Sequence, residues 1–151
     1  WENRTAVAEG LAPMLFHDNS EAVLEAARAF GNLSRDEETR QVMHSTRVDE
    51  AMVLLLDHAD REVVSAVVGV LVNLCGDRRC AGTIVHSGGL GSLMECVHRA
   101  GAEDAELATI ACHATYNLCC TIEWQLEDAQ VQFLVALADE LIETATEARR
   151  A

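Results

Sequence analysis

Lysine is absent from this chain. All eleven basic residues are arginine, set against 25 acidic ones, and the net charge is −14. That balance argues against nucleic acid or an anionic membrane surface as partner, because both are held by basic patches. Basic protein segments are the electrostatic expectation, beside the plain solubility of a large surface. Proline occurs once, at Pro13, and aromatic residues make up only 4%. Alternating Val/Ile/Thr runs bounded by turn residues are missing too, so nothing announces a sheet. The longest nearly continuous apolar run, Val63 to Cys75, is interrupted by Ser65, Gly69 and Asn73. It falls short of the ~20 residues that cross a bilayer, so no membrane insertion is expected. No basic-then-apolar leader is present and the chain opens on Trp1, which reads as a fragment of a longer protein. What remains is an all-α chain in which half the residues are apolar.

The six cysteines do not form a recognisable framework. Cys75, Cys112, Cys119 and Cys120 lie in apolar helical stretches, where a free thiol behaves as a small hydrophobe, and this fits a reducing compartment. Zinc sites favour pairs such as C-x2-C, whereas the short gaps here are Cys75-x4-Cys80 and the vicinal Cys119-Cys120. His17, His44, His58, His86, His98 and His113 make no ligand pair of the H-E-x-x-H kind and read as surface or groove residues. No metal, no cofactor and no catalytic group are expected. An enzyme working through Cys112-His113 or Cys119-Cys120 is the weaker alternative, because adjacent residues on a helix point about 100° apart.

What the chain does have is a repeat. Phe30-Gly31-Asn32-Leu33-Ser34, Val70-Leu71-Val72-Asn73-Leu74-Cys75 and Thr115-Tyr116-Asn117-Leu118-Cys119 share an Asn-Leu pair, spaced by 41 and then 44 residues. Eleven residues before each Asn stands a glutamate: Glu21, Glu62 and Glu106. Two further back stand Asn19, Asp60 and Asp104, whose side chains accept from the free N–H groups of a first helical turn. The glutamates add negative charge at the positive end of each helix dipole. A period of this length means stacked supersecondary units, none able to bury its apolar face alone. The spacing predicts Leu33, Leu74 and Leu118 buried and the three glutamates exposed. Ile84-Val85 is read as taking the place of Val42-Met43, and the three extra residues of the second period are assigned to the loop Arg99 to Asp104. Leu11-Ala12-Pro13-Met14-Leu15-Phe16 is expected to begin a helix, with Pro13 tolerated in its first turn.

Thr83-Ile84-Val85-His86-Ser87-Gly88-Gly89-Leu90, with two glycines at a sharp interhelical turn, resembles the armadillo-repeat pattern, as do Glu2 to Leu15 and Phe30 to Ser34. A HEAT array of two helices per unit has a similar period; the glycine pair favours armadillo. The resemblance implies an armadillo-type right-handed α-solenoid in a single domain, 1–151. Its units fall at about 1–35, 36–76 and 77–120, with a partial fourth over 121–151. It implies further that third helices line a concave groove, where Asn32, Asn73 and Asn117 bond the backbone of an extended partner segment. An amide offers both a donor and an acceptor, which suits that role, although it could equally satisfy a neighbouring group inside the stack. Nuclear-import members of the family carry Trp four residues before this Asn; here Arg28, Gly69 and His113 stand there, so a localisation-signal receptor is not expected. Arg28 would bring positive charge to one end of the groove and Gly69 a gap at its middle. The expected function is a non-catalytic scaffold or cargo adapter in the cytoplasm. The likeness of the two central units extends it to ciliary or flagellar assembly, between radial-spoke precursors and intraflagellar transport. A structural spacer inside a larger assembly is the other reading.

Overall fold

The structure is a computed structural model and describes residues 3–101, 103–122, 131, 132, 135, 136 and 139. Trp1 and most of the expected fourth unit, including Trp124, Leu126, Leu134, Leu137, Leu141 and Ile142, lie outside the described residues. Every regular element is helical: α1 (Arg4–Leu11), a 3-10 helix (Ala12–Phe16), α2 (Ser20–Leu33), α3 (Glu37–Ser45), α4 (Val48–Leu55), α5 (Arg61–Leu74), α6 (Arg78–His86), α7 (Gly89–Ala100) and α8 (Ala105–Ile122). No strand occurs among the described residues. The helices fall into threes, which is the armadillo pattern rather than the two-helix one. First helices α1, α3 and α6 pack in one row and third helices α2, α5 and α8 in another, with α4 and α7 bridging between them. The result is an α-solenoid.

Local chemistry sets each helix start. Asn19 accepts from the Glu21 N–H at 2.9 Å, Asp60 from that of Glu62 at 2.8 Å, and Asp104 from that of Leu107 at 3.2 Å. Two more aspartates do the same for the first helices: Asp36 accepts from Thr39 N–H and Asp77 from Arg79 N–H, both at 3.0 Å. Each such cap contributes about 1 kcal/mol. Glu21, Glu62 and Glu106 are exposed.

The core runs continuously from Ala8 to Ile122. Phe30 and Leu71, at matching positions of α2 and α5, are fully buried, as are Leu74 and Leu118. Burying side chains of this size is worth roughly 1.5–3 kcal/mol each. Leu33 departs from expectation and is only half-buried. Among the described residues no earlier third helix packs on α2, so this end of the row has one neighbour instead of two.

The Pro13 segment opens a helix as expected, a short 3-10 one with proline in its first turn. Two further expectations are corrected. Units two and three match at 41 residues, not 42: the caps Asp36 and Asp77, the left-handed Arg47 (φ 60°) and Gly88 (φ 79°), and the buried Met43 and Ile84 all pair at that spacing. Ile84 therefore takes the place of Met43. The extra residues of unit three lie in its second helix. Twelve-residue α7 replaces eight-residue α4, while the connection to the third helix shrinks from five residues, 56–60, to four, 101–104.

At the α6–α7 corner, Gly88 supplies the positive φ and Gly89 the close approach. A Cβ on Gly89 would lie 2.5 Å from Ile84 Cγ2, 2.7 Å from the Ile84 carbonyl oxygen and 3.0 Å from Val53 Cγ2. Packed this closely on Ile84, position 89 has no room for a side chain, whereas the matching corner of unit two turns on Arg47 and Val48.

Candidate functional site

The row of third helices brings the three asparagines into one register, but it uses them differently. Asn73 donates from Nδ2 to Ser34 Oγ at 2.9 Å, and that hydroxyl donates in turn to the Gly31 carbonyl at 3.1 Å. Asn117 donates from Nδ2 to the Val72 carbonyl at 2.9 Å. Each therefore reaches back to the end of the preceding third helix and ties two units together. Asn32, at the end of the row, is exposed, and its side chain has no hydrogen bond among the described residues. It lines a groove of about 560 Å³ with Arg4, Val7, Ala29, Leu33, Arg35 and Asp36. Asn73 and Asn117 are half-buried, and among the described residues their Oδ1 atoms accept nothing. The arrangement leaves a carbonyl-type acceptor at two positions and a whole carboxamide at the third.

The flanking positions are distinct. Arg28 is exposed but not a lone positive charge: its guanidinium lies 2.6 Å from Glu25 and 3.7 Å from Glu62. The expected positive end of the groove is thereby neutralised. Gly69 is half-buried with nothing within 4 Å of where a Cβ would stand, so a gap exists at that position. His113 is exposed on α8.

Ion pairs reinforce the stack from one unit to the next. Arg4 meets the α3 cap Asp36 at 3.0 Å, and Arg40 meets the α6 cap Asp77 at 3.4 Å. Arg61 holds Asp104 with two nitrogens, at 2.7 and 2.8 Å. That guanidinium, helped by the Leu107 N–H, pulls the Asp104 carboxyl down to about 2.

Five of the six thiols are shifted away from the reactive thiolate. Burial pushes Cys80 up to about 12 and raises Cys75, Cys96, Cys112 and Cys119 as well, whereas a nucleophilic cysteine has its thiolate stabilised. Cys112, read as the partner of His113, is half-buried while His113 faces solvent.

A polar centre that the sequence did not reveal lies between units two and three. His44 Nδ1 stands 2.8 Å from Asp49 Oδ2, and Asp49 is fully buried. One donor atom from each of His44, Asp49 and Cys80 lies within 4.8 Å of the other two. His44, read as a surface residue, is half-buried. The spacing of 5 and 31 residues matches no short ligand motif, and the one-residue offset had placed Val48 where Asp49 belongs.

No protein-family model matches the chain. Among curated proteins it is similar to armadillo repeat-containing protein 2. The mouse protein, Mus musculus, is 33% identical over 111 residues, which are 74% of this chain, and the cattle protein, Bos taurus, is 32% identical over 116, or 77%. The chain spans 13% of the length of these relatives. Among solved structures, an engineered protein matches with a TM-score of 0.70 at 27% identity, over 76% of this chain and 46% of that one. A designed armadillo repeat protein in complex with the peptide (KR)4 matches with a TM-score of 0.65 at 22% identity, over 92% and 53%.

Proposed function

We propose, for a chain that belongs to the armadillo-repeat family, a non-catalytic role as a scaffold or adapter that holds an extended protein segment along the third-helix row. The observation that carries this reading is the shared register of Asn32, Asn73 and Asn117, with Oδ1 of the latter two left without a donor among the described residues. A carboxamide oxygen accepts from a peptide N–H whatever side chains flank it, so affinity for backbone comes first and sequence preference second. The net charge of −14 favours a basic segment, the class of ligand carried by the designed armadillo protein above. Arg28, Gly69 and His113 flank the row, and the gap at Gly69 leaves room for a bulky partner side chain.

The likeness to armadillo repeat-containing protein 2 supports a finer reading. This chain is one part of a larger armadillo array, in units of about 1–35, 36–76 and 77–120 with a partial fourth, that acts in the cytoplasm and in the assembly of cilia or flagella. The experiment is a titration of a labelled alternating Lys-Arg peptide, with an alternating Asp-Glu peptide as control, at two salt concentrations. The basic peptide should bind and weaken with salt, because exposed charges are screened beyond roughly 8 Å at physiological ionic strength. Asn32→Ala, which breaks no internal bond, should weaken it about fivefold, the equivalent of one hydrogen bond of roughly 1 kcal/mol. Equal binding of both peptides, or none, would overturn the reading in favour of a structural spacer.

A further inference from the structure

We propose that His44, Asp49 and Cys80 form a binding site for a divalent transition metal of zinc's class, joining the second unit to the third. His44 belongs to α3 and Asp49 to α4, while Cys80 comes from α6 of the following unit. The donor atoms already converge, within 4.8 Å of one another, with His44 Nδ1 and Asp49 Oδ2 at 2.8 Å. Thr83 Oγ1 lies 3.5 Å from the same imidazole nitrogen.

The solenoid supplies its own control. At the matched positions of unit three, 41 residues on, His44 becomes Val85 and Asp49 becomes Leu90, which is 3% exposed. Those two positions of the corner are thus filled by apolar side chains in unit three. A fully buried carboxylate is costly there unless it is compensated, and its polar contacts are the imidazole and the Glu50 N–H at 3.0 Å. The fold of a unit does not require His44 and Asp49 at these positions, and a ligand shared with Cys80 accounts for them.

The donor set selects the ion. One thiol sulfur, one imidazole nitrogen and one carboxylate oxygen suit zinc or a neighbour in the transition series, whereas magnesium and calcium prefer oxygen throughout. Bonds of roughly 2.0–2.3 Å to a tetrahedral ion hold its ligands some 3.3–3.8 Å apart. Movements of about 1 Å or less therefore convert the present contacts into coordination. Binding replaces the imidazole–carboxylate hydrogen bond, and the thiol proton leaves to solvent as the thiolate meets the ion. The carboxylate and thiolate together balance a divalent charge. His44, 39% exposed in its side chain, is the solvent side of the site and leaves the fourth position to water or to the Thr83 hydroxyl.

The test is titration of the whole chain with Co²⁺ as a spectroscopic probe, followed by displacement with Zn²⁺. Wild type should take up one Co²⁺ with a thiolate-to-cobalt charge-transfer band and intense tetrahedral d–d bands, both bleached by equimolar Zn²⁺. Cys80→Ser should lose the charge-transfer band. His44→Ala should weaken Co²⁺ binding more than about tenfold. Asp49→Leu, which installs the residue type that unit three uses, should fold and lose the tetrahedral spectrum. Cys120→Ser, at an exposed thiol on α8, should change nothing. Absence of the thiolate band in wild type, its survival in Cys80→Ser or Asp49→Leu, or its loss in Cys120→Ser would overturn the proposal.

Discussion

Asn117 donates its side-chain amide to the Val72 carbonyl at 2.9 Å, reaching one unit back to the residue beside the previous asparagine of the row. Asn73 makes the equivalent reach to Ser34, so the Nδ2 of each inner asparagine is committed to the stack while its Oδ1 is not. The donor holds the array together and the acceptor is what a partner could use. The two halves of one carboxamide therefore have separable effects.

Asn73→Ala and Asn117→Ala should each lower stability by about 1 kcal/mol, the net worth of one internal hydrogen bond, whereas Asn32→Ala should leave it unchanged. Urea unfolding of the three variants checks this. An equal loss at Asn32 would show that the cost comes from something other than the ties between units.

Backbone conformation at the helix 1–2 corners sets up an opposed pair. Arg47 holds a left-handed φ of 60° that Gly88 holds without penalty in the next unit. A non-glycine residue there costs roughly 1–2 kcal/mol. Arg47→Gly should therefore raise stability by up to about 1 kcal/mol, since the mostly exposed Arg47–Glu50 ion pair it removes is worth little. Gly88→Ala should lower it by a similar amount. Thermal melts of both variants give the signs.

Gly89→Ala should be more damaging than Gly88→Ala. Its new methyl meets the Ile84 backbone oxygen, which cannot rotate away as a side-chain end can. Overpacking of this kind costs about 1–3 kcal/mol. A melting temperature equal to wild type would mean that the α6–α7 corner opens freely.

Acid should loosen the junction between α5 and α8. The folded Asp104 carboxyl lies at about 2 against an ordinary 3.8, held down by Arg61 and the Leu107 N–H. Depression in the folded state means that its contribution is fully present above pH 3.8 and is lost as the pH falls towards 2. Denaturant unfolding between pH 5 and 2.5 should show a steeper loss for wild type than for Asp104→Asn. Parallel curves would remove Asp104 from the acid response.

Thiol labelling tests the non-catalytic reading. Only Cys120 is exposed, Cys112 and Cys119 are half-buried, and Cys75, Cys80 and Cys96 are buried. A thiol reagent should find one accessible cysteine in the native chain, reacting at an ordinary rate, and six after unfolding. A hyper-reactive native thiol would reopen the enzyme reading.

The caps at Asn19, Asp60 and Asp104 and the burial of Leu74 and Leu118 were legible because they depend on local spacing, which a chain of helices preserves. Three things were not. The extra turn of α7 is missed although basic His98 and Arg99 in its last turn and Gly101 at its cap mark a helix end, because a charged, glycine-containing loop shares those residue types. The one-residue offset between units two and three arose because Val42 and Val48 are apolar neighbours of the true core positions, and sliding by one still matches apolar to apolar. That slip concealed Asp49, a charged residue where the pattern has leucine. The hydrogen bonds of Asn73 and Asn117 depend on how closely successive third helices pack, which no periodicity specifies.

Arg4 pairs with the cap of α3, and Arg40 pairs with the cap of α6 in the same manner. α1 and α3 thus each carry a plug for the socket that opens the next unit, and the socket itself is the aspartate cap of that unit's first helix, Asp36 or Asp77. A second copy of residues 36–76 spliced in after position 76 would present its own Asp36 to the Arg40 before it and its own Arg40 to Asp77 behind it. Duplication therefore copies this ion-pair joint intact, whereas the Asn73 tie would meet Cys75 of the preceding copy in place of the Ser34 hydroxyl.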